Sequence, residues 1–259
     1  MNVIQSVTMR PGNVGRRTMA ESNHRVESRS ETRDAPDPRR SSSMDDDGSD
    51  EPDEKLPTGI DALDRMLKGG LPYGTLAVLT ASPASSSELL LHEFVSDQET
   101  VYLTTERSET AVRNALEKTK MEPEDVEIRS MDDDDSLPAA RRTIEELSER
   151  VVLVIDPMRR FEHAEESAYR DFLNALEEWA VETQSVVFLH CLEGRGVTDR
   201  RDLTEYIADV IFTLETRVTG DHVENRLAIT KFRGGEAFDG VIKLDLTEGV
   251  DIDMSRKIA

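Results

Sequence analysis

The sequence predicts an α/β domain with a mainly parallel central sheet flanked by helices and a strand-rich, antiparallel C-terminal extension. Three observations lead there. From Leu56 to Leu192, apolar runs alternate with amphipathic segments, the pattern of strands joined by right-handed helical crossovers. Beyond residue 209 the chain turns to successive strand-like runs, which implies antiparallel pairing. Residues 1–53, rich in Ser, Arg, Asp and Pro, have no sustained apolar period and bury too little surface to offset the entropy of ordering. The expected organisation is a disordered tail over 1–53 and one domain over 54–259.

"TLAVLTA" (75–81) reads as a buried strand, and "SELLLHEFVS" opens a helix after it. "TVYLTTE" (100–106) is a second strand, followed by a helix through "SETAVRNALEKT". "DVEIRSM" (125–131) is a short third strand, and "SLPAARRTIEELSE" a helix with proline near its first turn. "RVVLVIDPM" (150–158) is a strongly apolar strand. "YRDFLNALEEWAVET" (169–183) has apolar residues at helical spacing and leads into the strand "QSVVFLHCL" (184–192). "VIFTLETRV", "VENRLAITKFRG" and "FDGVIKLDLTEG" supply the terminal strands. No internal repeat is visible.

The net charge is −22, and only seven lysines accompany 25 arginines. An acidic, lysine-poor chain of ordinary apolar content resembles cytoplasmic proteins of salt-loving archaea, where molar salt shortens the Debye length to roughly 3 Å and crowded carboxylates repel little. Such a surface opposes broad DNA binding, which needs clustered positive charge. The single Cys191 excludes an intrachain disulfide and any multi-cysteine zinc site. No segment approaches the ~20 apolar residues of a membrane span, and no signal-peptide core is present, so a cytoplasmic location is expected. Residues 1–43 carry +3 and the remainder −25, a contrast that suggests translation starting at Met19 or Met44.

"LPTGIDALDRMLKGGLPYGTLAVLTASP" (56–83) resembles the opening of the RecA-like ATPases of the KaiC, GvpD and RadA group. Thr58, Gly59, Leu63, Asp64, Leu67, Gly69, Gly70, Leu71, Pro72 and Gly74 match its approach to the phosphate loop in order and spacing. "VYLTTE" is similar to the strand that ends in a catalytic glutamate, and "VVLVIDPM" to a Walker B strand. "AITKFRGG" and "GVIKLDLTEGVDI" look like the KaiC-type ending. The resemblance spans about residues 56–253 and implies a single RecA-like domain that assembles edge to edge.

A working phosphate loop reads G-x-x-x-x-G-K-[ST]. Its glycines let backbone N–H groups curl around phosphates, its lysine neutralises the β/γ charge, and its hydroxyl ligates Mg²⁺. Aligned on the preceding strand, this chain offers Ala81, Ser82, Pro83, Ala84, Ser85, Ser86, Ser87 and Glu88. Both glycines are replaced, Ser87 takes the lysine position and Glu88 the hydroxyl position. Like charges ~4 Å apart at an effective dielectric near 20 repel by about 4 kcal/mol, so Glu88 opposes a phosphate unless a cation offsets it. Lys68 is the nearest lysine in sequence, and nothing in the spacing puts it in the loop. Alternatively Glu88 binds Mg²⁺ directly, or weak ATP/Mg binding persists at the helix N-terminus.

By resemblance, Glu106 matches the water-activating glutamate, with Arg107 where relatives often carry a second glutamate. Asp156 matches the Walker B carboxylate and is a candidate for holding Mg²⁺ through water; the plain alternatives are a solvated acid for Glu106 and a turn or cap before Pro157 for Asp156. Lys231 and Arg233 match a Lys-x-Arg that reaches a neighbouring subunit's nucleotide; the plain reading is a strand with outward charges. His190 and Cys191 point to opposite faces of one strand and make no metal site, and His190 reads as a partly buried strand-end residue. A Ser/His/Asp set is conceivable from Ser86, His190 and Asp156, without a nucleophile-elbow motif. "GRGVTDRR" (194–201) lies where recombinases carry a DNA-binding loop; Arg195, Arg200 and Arg201 are cationic, but no aromatics interleave, and a solvated loop is the plain reading.

The expected function is therefore a KaiC-like RecA-superfamily protein with impaired nucleotide chemistry, a regulatory or signal-transduction component. It would bind a protein partner, an intact paralogous ATPase or a second copy of itself. Two alternatives stay open: an ATPase with an unorthodox phosphate loop, and a recombination or repair accessory that binds single-stranded DNA.

Overall fold

The computed structural model describes residues 54–96, 98–119, 126–131, 136–235, 240–247 and 249–252. They belong to one compact unit, Asp50–Ala259. The expected disordered tail and the start sites at Met19 and Met44 lie outside the described residues.

A short ribbon pairs β1 (Lys55–Leu56) with β2 (Leu71–Pro72), and α1 (Asp61–Met66) lies between them in sequence. The main sheet follows: β3 (Leu76–Ala81), α2 (Ser87–Phe94), β4 (Thr100–Thr104), α3 (Glu109–Leu116), β5 (Val126–Ser130), α4 (Ser136–Glu145), β6 (Val152–Asp156), α5 (Arg159–Glu162), α6 (Glu166–Thr183), β7 (Val186–Leu192), α7 (Arg201–Ile207) and β8 (Val210–Thr219). The chain closes with β9 (His222–Phe232), β10 (Val241–Asp245) and β11 (Asp251–Ile252). In space the nine strands run β11-β10-β9-β8-β3-β7-β6-β4-β5. Pairs from β8 to β5 are parallel, and those from β8 to β11 antiparallel. The mainly parallel sheet with an antiparallel C-terminal side is the architecture the sequence predicts.

Period-two alternation divides the core between the two faces of the sheet. Ala77, Leu79, Tyr102, Val152, Val154, Val186 and Phe188 pack on one side with Leu91 and Phe94 of α2 and Val112 of α3. Leu76, Val78, Leu103, Leu153, Ile155, Val187 and Leu189 pack on the other with Ile144 of α4 and Tyr169, Leu173 and Leu176 of α6. Phe94 anchors α2 on the first face, its ring 5.2 Å from that of Phe188 and 5.1 Å from that of Phe212.

The segment matched at 56–74 has a structural logic of its own. The Asp64 carboxylate accepts both the N–H and the hydroxyl of Thr58, each at 2.7 Å, which ties α1 to the chain entering it. Gly70 has φ +123°, and a Cβ there would stand 2.0 Å from the Leu56 carbonyl oxygen. Only glycine lets β2 run that close to β1.

One expectation shifts. The stretch read as a loop through residue 201 ends at Arg200, and α7 begins at Arg201. Near Lys231 the register is irregular, Ile211 facing Lys231 and Phe212 facing Ile229, so that Thr230 is the extra residue of a bulge.

Candidate functional site

Strand parity assembles a polar cluster under α2. Asp156 shares its parity with Val152 and Val154, and His190 with Val186 and Phe188, so both side chains leave the sheet on the α2 face beside Tyr102. β4, β6 and β7 are neighbours, which brings the three together. The Tyr102 hydroxyl donates to Asp156 Oδ2. His190 Nδ1 lies 2.6 Å from Asp156 Oδ1, and His190 Nε2 lies 3.0 Å from Ser87 Oγ. Ser87, Asp156 and His190 are 2%, 3% and 1% exposed.

Ser87 is the first residue of α2, entered from β3 through the turn Ser82–Ser86. The turn is held locally: Ser85 donates from its hydroxyl to the Ser82 carbonyl at 2.6 Å, and Ala84 N–H reaches the Ser82 hydroxyl at 3.2 Å. Ser86 is exposed at the N-cap and makes no side-chain cap. The conceivable Ser/His/Asp set thus exists with a different serine: the helical turn aims Ser87, not Ser86, at His190.

Glu88 finds a cation that sequence spacing does not indicate. Arg107 Nη1 donates to Glu88 Oε2 at 2.7 Å, and its Nη2 to the Ala111 carbonyl at 3.1 Å. The Thr104 hydroxyl meets the Arg107 N–H and donates to its carbonyl, which fixes the turn after β4. The offsetting charge is Arg107 from the parallel neighbourhood, not Lys68.

The electrostatics follow from burial. His92, one turn along α2 from Glu88, is buried, and among the described residues its Nδ1 has no hydrogen-bond partner. Burial lowers its pKa to about 4, against the attraction of Asp156. Burial also opposes the charge on Asp156, yet the hydrogen bond and charge of His190 and the Tyr102 hydroxyl hold that carboxyl below its ordinary value. Tyr102 is pushed well upward, first by burial and then by Asp156.

Among the remaining sequence expectations, Glu106, Cys191, Lys231 and Arg233 lie apart from the cluster, which holds Asp156 and His190. Glu106 is exposed on the turn after β4. Asp156 neither caps α5 nor stands open at its strand end, and His190 is fully rather than partly buried. Cys191 faces the opposite side of the sheet, its Sγ 3.9 Å from Glu162 Oε1, and burial raises its pKa. Lys231 Nζ donates to the carbonyls of Glu205 and Tyr206, and Arg233 Nη2 to those of Tyr206 and Ile207, so both occupy the C-terminal end of α7. Arg233 also pairs with Asp209 at 3.2 Å.

Arg195, Arg200 and Arg201 do not form one cationic surface. Arg201 is buried and grips Glu162 with two nitrogens, at 2.6 and 2.9 Å, while also donating to the Leu192 carbonyl. Arg200 is half-buried at the N-cap of α7, and Arg195 alone is exposed. The apolar spacing of α7 is too short to signal a helix, which is why Arg201 reads as a loop residue in the sequence.

Beside the turn lies an open cleft of about 810 Å³, walled by Ala84, Ser85 and Ser86 on one side and by Thr216, Asn225 and Lys243 of the antiparallel strands on the other. Among the described residues, no cluster of three or more His, Cys, Asp or Glu side chains is set to hold a metal ion, and no helix is long and apolar enough to cross a membrane.

No motif assigns a role to Tyr102, His92 or Glu162, and the comparison of Arg107 with a relative's glutamate does not reveal its pairing with Glu88. Parity along "TVYLTTE", "VVLVID" and "VVFLHC" would have found Tyr102 with Asp156 and His190, once the strand order was known.

Among solved structures, the chain is similar to the crystal structure of the KaiC-like protein PH0186 from the hyperthermophilic archaeon Pyrococcus horikoshii OT3. The two share 19% sequence identity and a TM-score of 0.64, over 78% of this chain and 99% of that one. The fold is therefore KaiC-like and RecA-like. No curated protein sequence matches the chain. The model of a family of unknown function (DUF7125) matches residues 55–259, from β1 to the C-terminus, and the chain belongs to that family.

Proposed function

We propose that the protein is a RecA-like scaffold that has given up efficient nucleotide chemistry and acts by binding a protein partner, as a regulatory or signal-transduction component. The observation that carries this reading is the pairing of Arg107 with Glu88, next to a buried Ser87 bonded to His190. A triphosphate with Mg²⁺ needs a free cation and a ring of open backbone N–H groups. Here the lysine position holds a buried hydroxyl, the loop glycines are absent, and the nearby guanidinium is committed to a carboxylate. The residues present do not fit the group. The Walker B-like Asp156 is likewise engaged by Tyr102 and His190.

Lys231 and Arg233 are the candidates for acting in trans. Against an intact paralogous ATPase they would exchange the α7 carbonyls for that partner's phosphates. The acidic, lysine-poor composition supports a cytoplasmic setting of high salt.

Equilibrium binding of labelled ATP with Mg²⁺ to the full chain in molar KCl tests the reading. Binding weaker than millimolar is expected; micromolar affinity would overturn it. ATP turnover that disappears in Glu106→Gln would establish the ATPase alternative instead.

A further inference from the structure

We infer that the cleft beside the serine turn binds a small neutral polyol, a sugar of monosaccharide or disaccharide size. Strand lengths create the cleft. The pairing of β3 with β8 ends at Ala81 and Leu214, while β8 and β9 run on as an arm to Thr219 and His222. Past Ala81 the chain turns away through Ser82–Ser86 into α2, so the arm and the turn face each other across an open space of about 810 Å³. Thr216 and Asn225 are cross-strand partners in the arm. They share the parity of Leu214 and Leu227, which places both side chains on the α2 face.

The polar groups of the lining are matched to hydroxyls. Asn225 is only 8% exposed, yet it lines the cleft. Its Oδ1 accepts from the Thr216 hydroxyl at 2.8 Å, while its Nδ2 has no hydrogen-bond partner among the described residues and is not sealed from the cleft. A ligand oxygen satisfies that donor. The Thr216 and Ser85 hydroxyls, both in the lining, have given their protons to Asn225 Oδ1 and to the Ser82 carbonyl, so their oxygens are left as acceptors. An aliphatic hydroxyl accepts from Asn225 Nδ2 and donates to these oxygens, whereas a carbonyl or ether does only the first. Leu244 and Leu246 supply an apolar patch for the C–H face of a sugar ring.

Charge selects against anions. Among the described lining residues Lys243 is the only lysine or arginine, and Glu224 holds it at 2.8 Å. Asp221 and Asp245 add exposed carboxylates to the rim. A phosphate entering here finds no free lysine or arginine and meets like charge. The described lining also has no phenylalanine, tyrosine or tryptophan on which a nucleobase would stack, which favours a saturated ring. The volume is that of a small-ligand pocket and accommodates a disaccharide.

The test is an NMR titration of the full, isotope-labelled chain with glucose, trehalose and sorbitol, and with a phosphorylated glucose as the charged counterpart. Saturable binding with a Kd of about 1–10 mM is expected for at least one neutral probe. The shifts should centre on Ser85, Ser86, Thr216 and the Asn225 side-chain amide. Asn225→Asp, nearly isosteric but without the donor, should weaken binding roughly tenfold. Thr247→Trp, an exposed change in the lining, should block the cleft and leave the buried pair alone. The phosphorylated sugar should bind roughly tenfold more weakly than glucose. Denaturant midpoints identify the variants that fold, and affinities are read on these. No saturable shift from any neutral probe, shifts centred away from the cleft, tighter binding of the phosphorylated sugar, or affinity unchanged in the folded variants would each overturn the inference. None of these outcomes depends on ATP affinity, so the proposed function stands or falls separately.

Discussion

Arg107 Nη1 lies 2.7 Å from Glu88 Oε2, and the two side chains are 32% and 44% exposed. This pair answers the carboxylate that a phosphate-loop alignment leaves unbalanced. It joins the turn after β4 to the first turn of α2 and closes the charge account of the site without a lysine.

A half-exposed pair is weak in energy. Arg107→Ala should cost at most about 1 kcal/mol in chemical denaturation, and a double-mutant cycle with Glu88→Gln should give a coupling of about 0.5 kcal/mol that shrinks in molar salt.

Glu162 and Arg201 behave oppositely because both are buried. Arg201→Met should destabilise by about 3–5 kcal/mol, since the carboxylate is left uncompensated away from water. The double variant Glu162→Gln, Arg201→Met should recover part of that loss, measured by denaturant midpoints.

His92 gives the fold a pH dependence. Its folded pKa of about 4 lies below the ordinary 6.5, so the unfolded chain binds more protons between those values. Stability therefore rises with pH across that window, is complete above 6.5, and is lost as pH falls toward 4. The full contribution is about 3 kcal/mol. His92→Gln should flatten the slope there; the depressed Asp156 acts lower, below its unfolded value of 3.8.

Gly70→Ala should be severe, costing more than about 3 kcal/mol or preventing folding, because the new Cβ meets backbone at 2.0 Å. Gly220→Ala, at φ +65° with nothing within 4 Å, should cost only about 1 kcal/mol of backbone strain. Thermal unfolding of the two variants separates crowding from conformational preference.

Much of the fold is legible in local pattern. Long apolar strands such as "VVLVIDPM" and the helical spacing of "YRDFLNALEEWAVET" survive any tertiary context, since burial on both sheet faces demands them. The short α5 and α7, of four and seven residues, carry too few turns to leave a period. Arg201 is misread for that reason, as its partner Glu162 is 39 residues away.

The sequence by itself determined that the chain holds an α/β scaffold in which a serine-rich turn, with no lysine, joins a buried strand to a helix. Periodicity and residue type are local properties, and they suffice for that. Only the tertiary structure decided what the turn became: Ser87 rather than Ser86 meets His190, and Arg107 rather than Lys68 meets Glu88. Those choices depend on strand order and on the rotation of α2 over the sheet. Contacts between residues 19 to 103 positions apart are fixed by packing, which no local pattern encodes.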